Sequence, residues 1–203
     1  MNKLKNVVFD LGGVLIDWNP DYLYKDEFKT EEELNQFYSE VCTVDWNENQ
    51  DAGYPLQLAT EELVERFPQY EDKIRMFYGR WEEMLGNPIP GVVDILHQCI
   101  SNPHLSVFAL TNWSAETFPI AQQKFNFLQS FDGIVVSGEE KTRKPFNDIY
   151  LTLLRRYHIL AEETVFIDDN QRNIKAAENL GFNTILFKSA KQLNEELKKI
   201  AIV

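Results

Sequence analysis

Apolar positions in this chain come in short unbroken runs, and the informative runs end on a polar residue. Residues 6–9 run Asn-Val-Val-Phe and stop at Asp10. Residues 105–110 lead into Thr111-Asn112, and 164–167 lead into Asp168-Asp169. With 133–136 and 183–187, these runs have the length and density of strands buried on both faces. Between them the apolar spacing becomes helical. The stretch 90–99 carries Val92, Val93, Ile95, Leu96 and Cys99. Ser114 is placed to cap a helix running past Thr117, and Pro145 to start one through Tyr157. A helix over 170–180 is stopped by Gly181, and a last one covers 190–200. The alternation predicts an α/β fold, a Rossmann-like parallel sheet with helices on both faces.

Residues 18–86 have a different rhythm. Thr30-Glu-Glu-Glu33 has the pattern of a capping box before Leu34, Phe37, Tyr38 and Val41. Further helices fit 56–67 and 71–85, and no strand is expected. The reading is therefore a core of 1–16 and 87–203, interrupted by a helical cap over 17–86. An insert at the tip of the first strand is placed to fold over a site as a lid; the alternative is an extra helical layer. Its many aromatic residues, Tyr24, Phe28, Phe77 and Trp81 among them, read mainly as core. The polar segment 44–53 reads as a lid loop facing a substrate, with Trp46 as its contact residue.

Bulk properties narrow the function. A chain of 203 residues with 44% hydrophobic content can bury one good core with a modest insertion. The net charge of −12 argues against sequence-independent nucleic-acid binding. It leaves room for small phosphorylated molecules held by a metal and a few local cations. No signal peptide precedes Asp10 and no run reaches membrane-spanning length. Cys42 and Cys99 lack metal-ligand spacing, read as buried hydrophobes, and fit a reducing, cytoplasmic setting. Oligomeric state is not readable.

The chemistry sits at the strand tips, where open α/β sheets bind ligands. If the first strand and the strand before Asp168 share a sheet, Asp10, Asp168 and Asp169 converge. Three carboxylates in one cleft call for a cation or a proton among them. Asp10 is the candidate nucleophile, and Gly12 and Gly13 let the backbone approach a ligand. Thr111 can donate to a phosphoryl oxygen, with Asn112 beside it. Lys144, ahead of Pro145, offers a fixed cation, while Lys141 and Arg143 read as solvated. Asp169 suits direct magnesium ligation. Asp168 either binds the metal or orients Lys144 and a water, and Asn173 supports it from one helical turn further on.

The order Asp, Thr, Lys, Asp-Asp at successive strand tips resembles the haloacid dehalogenase superfamily of phosphohydrolases, over nearly the whole chain. The insert is similar to that superfamily's small α-helical cap. Within it, residues 9–17 and 167–174 resemble the bacterial glucose-1-phosphate phosphatase branch. The resemblance implies a phosphoaspartyl intermediate on Asp10, with Mg2+ held by Asp10, the Gly12 carbonyl and Asp169. It also implies magnesium-dependent hydrolysis of a small phosphorylated metabolite, sugar phosphates among the candidates.

One departure stands out. Most phosphatases of the superfamily carry a second aspartate two residues after the nucleophile, as general acid and base; here that residue is Gly12. Such a loss costs about 10²–10⁴-fold in rate unless replaced. Either a water, a cap residue or a good leaving group substitutes, or the chain is a metal-independent 2-haloacid dehalogenase, or it is a phosphate- and magnesium-binding module with little turnover. Asp17 reads as structural, near the cap hinge.

Overall fold

The computed structural model describes residues 3–203. Its first half runs β1 (Asn6–Phe9), β2 (Ile16–Trp18), α1 (Asp21–Tyr24), α2 (Glu31–Glu40), α3 (Val44–Asp51), α4 (Leu56–Arg66) and α5 (Glu71–Gly79). It continues with β3 (Leu85–Pro88), α6 (Val92–Ser101), β4 (Ser106–Thr111), α7 (Phe118–Lys124), β5 (Gly133–Val136) and α8 (Ser137–Glu140). The chain ends with α9 (Asn147–Tyr157), β6 (Thr164–Asp168), α10 (Gln171–Asn179), β7 (Asn183–Leu186) and α11 (Ala190–Lys199).

Five strands form one parallel sheet in the order β5-β4-β1-β6-β7. Side chains alternate across it, so each strand feeds two layers. Val7 and Phe9 join Val107, Ala109, Val165 and Ile167 on one face, packed under α6, α7 and α11. Val8 joins Phe108, Leu110 and Phe166 on the other, packed against α9 and α10. That double cover explains why the strands read as continuous apolar runs. Strand β1 lies between β4 and β6, which makes its tip the topological switch point where a crevice opens. The register sets Phe9 beside Ala109 and Ile167, so Asp10, Thr111 and Asp168 emerge together.

The helical segment leaves and rejoins the sheet through an antiparallel ribbon that pairs Trp18 with Leu85 and Ile16 with Pro88. The expectation of no strand in this region is thereby corrected. A strand reading Leu-Gly-Asn-Pro has no local β signal, and only its distant partner makes it one. The helix expected over 71–85 accordingly ends at Gly79, followed by a 3₁₀ turn at Trp81–Met84. Asp17 lies in this ribbon; its carboxylate accepts from the Tyr22 hydroxyl and packs on Gly86.

Other boundaries shift for local reasons. Thr30 accepts from the Glu33 N–H as expected, while the Glu33 carboxylate reaches one residue past the cap, to the Lys29 N–H at 3.1 Å. Ser114 caps a turn, accepting from Glu116 N–H at 3.2 Å; the helix starts later, at Phe118, with Pro119 in its first turn. Pro145 precedes α9 instead of starting it, and its peptide bond with Lys144 is cis.

Inside the helical segment Tyr24 is fully buried against Phe37, Phe28 and Phe77, and its hydroxyl donates to the Lys73 carbonyl at 2.8 Å. These aromatics belong to the same buried cluster as one face of the sheet. Cys42 and Cys99 are buried free thiols. Among the described residues no helix is long and apolar enough to cross a membrane.

Candidate active site

Asp10 follows β1, where its N–H donates to the Ile167 carbonyl at 2.8 Å and locks it beside β6. Its Oδ1 accepts from Leu11 N–H at 2.7 Å and pairs with Lys144 Nζ at 2.8 Å. Burial raises this carboxyl well above the usual range; Lys144 opposes the shift, and Asp168 and Asp169 add to it.

Lys144 is completely buried, its ammonium also 2.7 Å from Asp168 Oδ2. Burial pulls that ammonium's pKa down, but the two carboxylates outweigh it and leave it raised. Asn112 holds the lysine backbone at both ends: its Oδ1 accepts from Lys144 N–H at 2.8 Å, and its Nδ2 donates to the Lys144 carbonyl at 3.0 Å. Asn112 therefore borders the cleft with its amide already committed to positioning Lys144.

Asp168 is also fully buried. Its Oδ1 accepts from Asn170 N–H at 2.8 Å and Asn173 Nδ2 at 3.0 Å, and its Oδ2 from Lys144 and, at 3.1 Å, Asn173. Of the two roles considered for Asp168, the geometry is that of a residue orienting Lys144. Asp169 is the exposed member of the cluster. Burial of its carboxyl group and the charge of Asp168 raise its pKa, against the pull of Lys144. One oxygen from each of Asp10, Asp168 and Asp169 lies within 4.8 Å of the others. With one ammonium among three carboxylates, the cluster holds surplus negative charge.

Over it opens a cleft of about 290 Å³, floored by Asp10, Gly12, Gly13, Lys144 and Asp169. This is the small end of the ~300–1,000 Å³ range of ligand pockets, the scale of a metabolite. Trp18, Trp81 and Trp113 form aromatic walls, and Val44, Asn47, Glu48 and Asp51 face it from α3. Two buried donors have no partner: Nε1 of Trp113, which lines the cleft, and Oγ1 of Thr111, which ends β4 next to Asn112 but is not itself among the lining residues. An unmade hydrogen bond of this kind costs about 1–3 kcal/mol, so both groups suit a ligand's acceptors.

Several expectations are revised. Residues 44–53 are not a loop. Thr43 caps α3 by accepting from Trp46 N–H at 3.1 Å, and the polar composition reflects a helix whose inner face meets a cleft instead of a core. Trp46 does not line the cleft; its ring packs on Phe77 and Tyr78, and its Nε1 donates to the Ala59 carbonyl at 3.4 Å. Arg143 is not solvated. It pairs with Glu48 at 2.9 Å, and Glu48 also takes Arg172. Lys141 is exposed, its ammonium 3.2 Å from the Gly53 carbonyl.

Sequence reasoning misses Asp51 and Trp113 as individuals, since nothing local says which side chain of a helix or turn faces a cleft. Burial raises the Asp51 carboxyl to about 7, Glu48 adds to this, and Arg143, the Ser114 N–H and Lys144 oppose it. A raised folded-state value means that the protonated carboxyl stabilises the fold. That stability is complete below the unfolded value and is lost as pH rises through about 7. We expect the melting temperature to fall as pH rises from about 4 to about 7 and to level off above that, and Asp51→Asn to flatten that fall. An unchanged pH profile in the variant would refute the assignment.

Comparison with known proteins gives a consistent family. Haloacid dehalogenase-like hydrolases match residues 7–187. A drimenol cyclase from Aspergillus calidoustus is 26% identical over 97% of the chain, which spans only 36% of that protein's length. A sesquiterpene phosphatase from Aspergillus oryzae is 27% identical, covering 87% of this chain and 86% of its own. A phosphorylated carbohydrates phosphatase from Thermotoga maritima is 22% identical, covering 90% and 84%. Among solved structures, a magnesium complex of a HAD family enzyme from Bacteroides thetaiotaomicron aligns over 97% of this chain and 100% of its own, with TM-score 0.74 and 19% identity. An L-2-haloacid dehalogenase from Xanthobacter autotrophicus aligns over 98% and 84%, with TM-score 0.64 and 19% identity. At such identities the structural matches speak for the fold alone.

Proposed function

We propose, for a chain that belongs to the haloacid dehalogenase-like hydrolase family, a reaction narrower than the family: hydrolysis of a small phosphate monoester through a phosphoaspartyl intermediate. The observation that carries this reading is the charge surplus at the cleft floor, three clustered carboxylates against one buried lysine. Such a floor suits a cation and a phosphoryl group. Without a cation it would repel a 2-haloacid carboxylate, as it would a phosphate, which disfavours metal-independent dehalogenation.

The donor set fits magnesium, which takes hard oxygen ligands and few protein carboxylates. Asp10 and Asp169 would hold it, with the Gly12 carbonyl beside them, while the oxygens of Asp168 are engaged elsewhere. Bound there, magnesium supplies positive charge against the carboxylates and the phosphoryl oxygens. The protein groups do the rest. Asp10 attacks phosphorus in line, and the alcohol leaves as the acyl phosphate forms. Lys144, aimed by Asp168 and Asn112, and the partnerless Thr111 hydroxyl donate to phosphoryl oxygens. Water then cleaves the acyl phosphate and frees Asp10. The segment 17–86 acts as the cap of a core made of 1–16 and 87–203; its α3, Trp18 and Trp81, together with Trp113 from the core, enclose the leaving group and exclude water. The free buried thiols agree with a cytoplasmic setting.

Phosphate release from a panel of phosphomonoesters, with magnesium and with chelator, tests this. Sugar phosphates, glucose 1-phosphate included, and prenyl phosphates belong on it, since two of the related proteins are phosphatases of carbohydrates and sesquiterpenes. Magnesium-dependent release is expected. Halide release from 2-haloacids without metal would move the chain to dehalogenation. Thermal stabilisation by phosphate and magnesium without product would make it a binding module.

Gly13 offers a separate check on the metal. Its φ is +74°, and a Cβ there would come within 2.4 Å of Asp169 Oδ2. Gly13→Ala therefore displaces a proposed ligand and strains the turn. The magnesium concentration for half-maximal activity should rise at least about tenfold, alongside roughly 1–2 kcal/mol lost stability. An unshifted magnesium titration would remove Asp169 from the ligand set.

A further inference from the structure

An alkoxide is a poor leaving group unless a proton reaches its oxygen as the P–O bond breaks. Gly12 brings no side chain, so the proton must come from a wall of the cleft. Five carboxyl groups stand near. Asp10 is the nucleophile, Asp169 a proposed metal ligand, and Asp168 is saturated by Asn170, Asn173 and Lys144. Glu48 is engaged by two guanidinium groups, those of Arg143 and Arg172. Asp51 remains, facing the cleft from the last turn of α3 and forming no ion pair among the described residues.

Its mounting is firm. The Asp51 carbonyl accepts from Ser137 Oγ at the tip of β5, and Leu56 N–H donates to Glu116 Oε1 at 2.9 Å beyond it. The clasp of Glu48 on the two arginines fixes the preceding turn. The Asp51 side chain meets the Ser114 N–H and, at 3.3 Å, the Asn47 amide. The charged and titratable groups around it are Glu48 on its own helix, Arg143 and Lys144 from the loop before α9, and Tyr78 from α5.

We propose that Asp51 is the general acid and base of this reaction, delivered from the helical segment to the strand tips; this rests on the phosphatase reading above. In the first step an Asp10 oxygen bonds to phosphorus, the bond from phosphorus to the alkoxy oxygen breaks, and that oxygen takes the Asp51 proton to leave as the alcohol. In the second, water bonds to phosphorus while Asp51 carboxylate takes its proton. The bond from phosphorus to the Asp10 oxygen breaks, and inorganic phosphate and the starting enzyme are restored. The elevated pKa of Asp51, about 7, matches a group that must carry the proton in one step and lack it in the next.

The test compares an alkyl phosphate from the active panel with p-nitrophenyl phosphate, whose phenolate leaves without a proton. In Asp51→Asn, kcat/KM for the alkyl ester should fall about 10²–10⁴-fold, and for the aryl ester at least tenfold less. The alkaline limb of the alkyl profile should vanish. Equal falls on both substrates, or an intact alkaline limb, overturn the role of Asp51 while leaving the phosphatase standing. If the wild type releases phosphate from neither ester, the phosphatase reading itself is overturned, and this inference with it. Should the variant fail to fold, the wild type carries the test: an alkaline limb near neutrality for the alkyl ester and none for the aryl ester, with identical limbs refuting the assignment.

Discussion

Asp10→Asn abolishes turnover while leaving the protein folded; the expected loss is about 10⁴–10⁶-fold in kcat, the scale seen when a covalent nucleophile is removed. Asparagine matches aspartate in shape and keeps an oxygen for the Leu11 N–H, now 2.7 Å from Asp10 Oδ1. What it removes is one buried negative charge from a cluster that carries a surplus. Asp168 still holds Lys144, so the lysine is not stranded. The melting temperature of the metal-free variant should accordingly equal or exceed that of the wild type. The two readouts separate chemistry from structure. Lost activity with retained stability assigns the nucleophile, and acid-quenched wild type, but not the variant, should carry phosphate on protein. A variant that keeps most of its activity would show that phosphorus is attacked by something other than Asp10.

The strand tips are legible in the sequence because parallel strands covered on both faces advertise themselves as apolar runs, and the polar residue ending each run marks the ligand side of the sheet. Asp10, Thr111, Asp168 and Asp169 follow from that logic, and Lys144, in the loop beyond β5 and α8, is read instead from its place ahead of Pro145. The helical segment is legible in outline, through the Thr30 cap and the spacing of Leu34 and Phe37. What escapes depends on partners far along the chain. The ribbon of β2 and β3 is created by pairing across some seventy residues; β2 is only three residues long, and β3, Leu-Gly-Asn-Pro, has no β propensity to declare it. Helix α3 reads as a loop because its inner face meets a polar cleft, which erases the apolar periodicity that betrays a helix. The same inversion hides Asp51 and promotes Trp46: an aromatic in a polar segment looks like a contact residue, yet the ring packs in the core and the carboxylates face the cleft. Arg143 looks solvated because Glu48, its neutralising partner, lies on a distant helix.

Lys144 is where stability and catalysis meet, and its removal should be visible in both. It is buried with no exposed surface and within 2.8 Å of two carboxylates. Lys144→Met keeps the bulk and deletes the charge, leaving Asp10 and Asp168 buried without a cation. Breaking a buried pair from one side costs about 3–5 kcal/mol, a drop of roughly 6–20 °C in a chain of this size. Activity should fall by at least about 10²–10³-fold through the lost phosphoryl contact. Arginine is no substitute, because its planar fork is larger than the ammonium that Asn112 and Asp168 position. The deficit has a signature that a packing defect lacks. Acidification supplies a proton to Asp10, whose carboxyl is already raised by burial, and a divalent cation supplies charge directly, so either should narrow the gap in melting temperature between variant and wild type. A gap that stays constant across pH and magnesium would mean that methionine simply packs badly. A variant as stable as the wild type in chelator at alkaline pH would mean that the carboxylates do not depend on Lys144, and the electrostatic account of this cleft would fall.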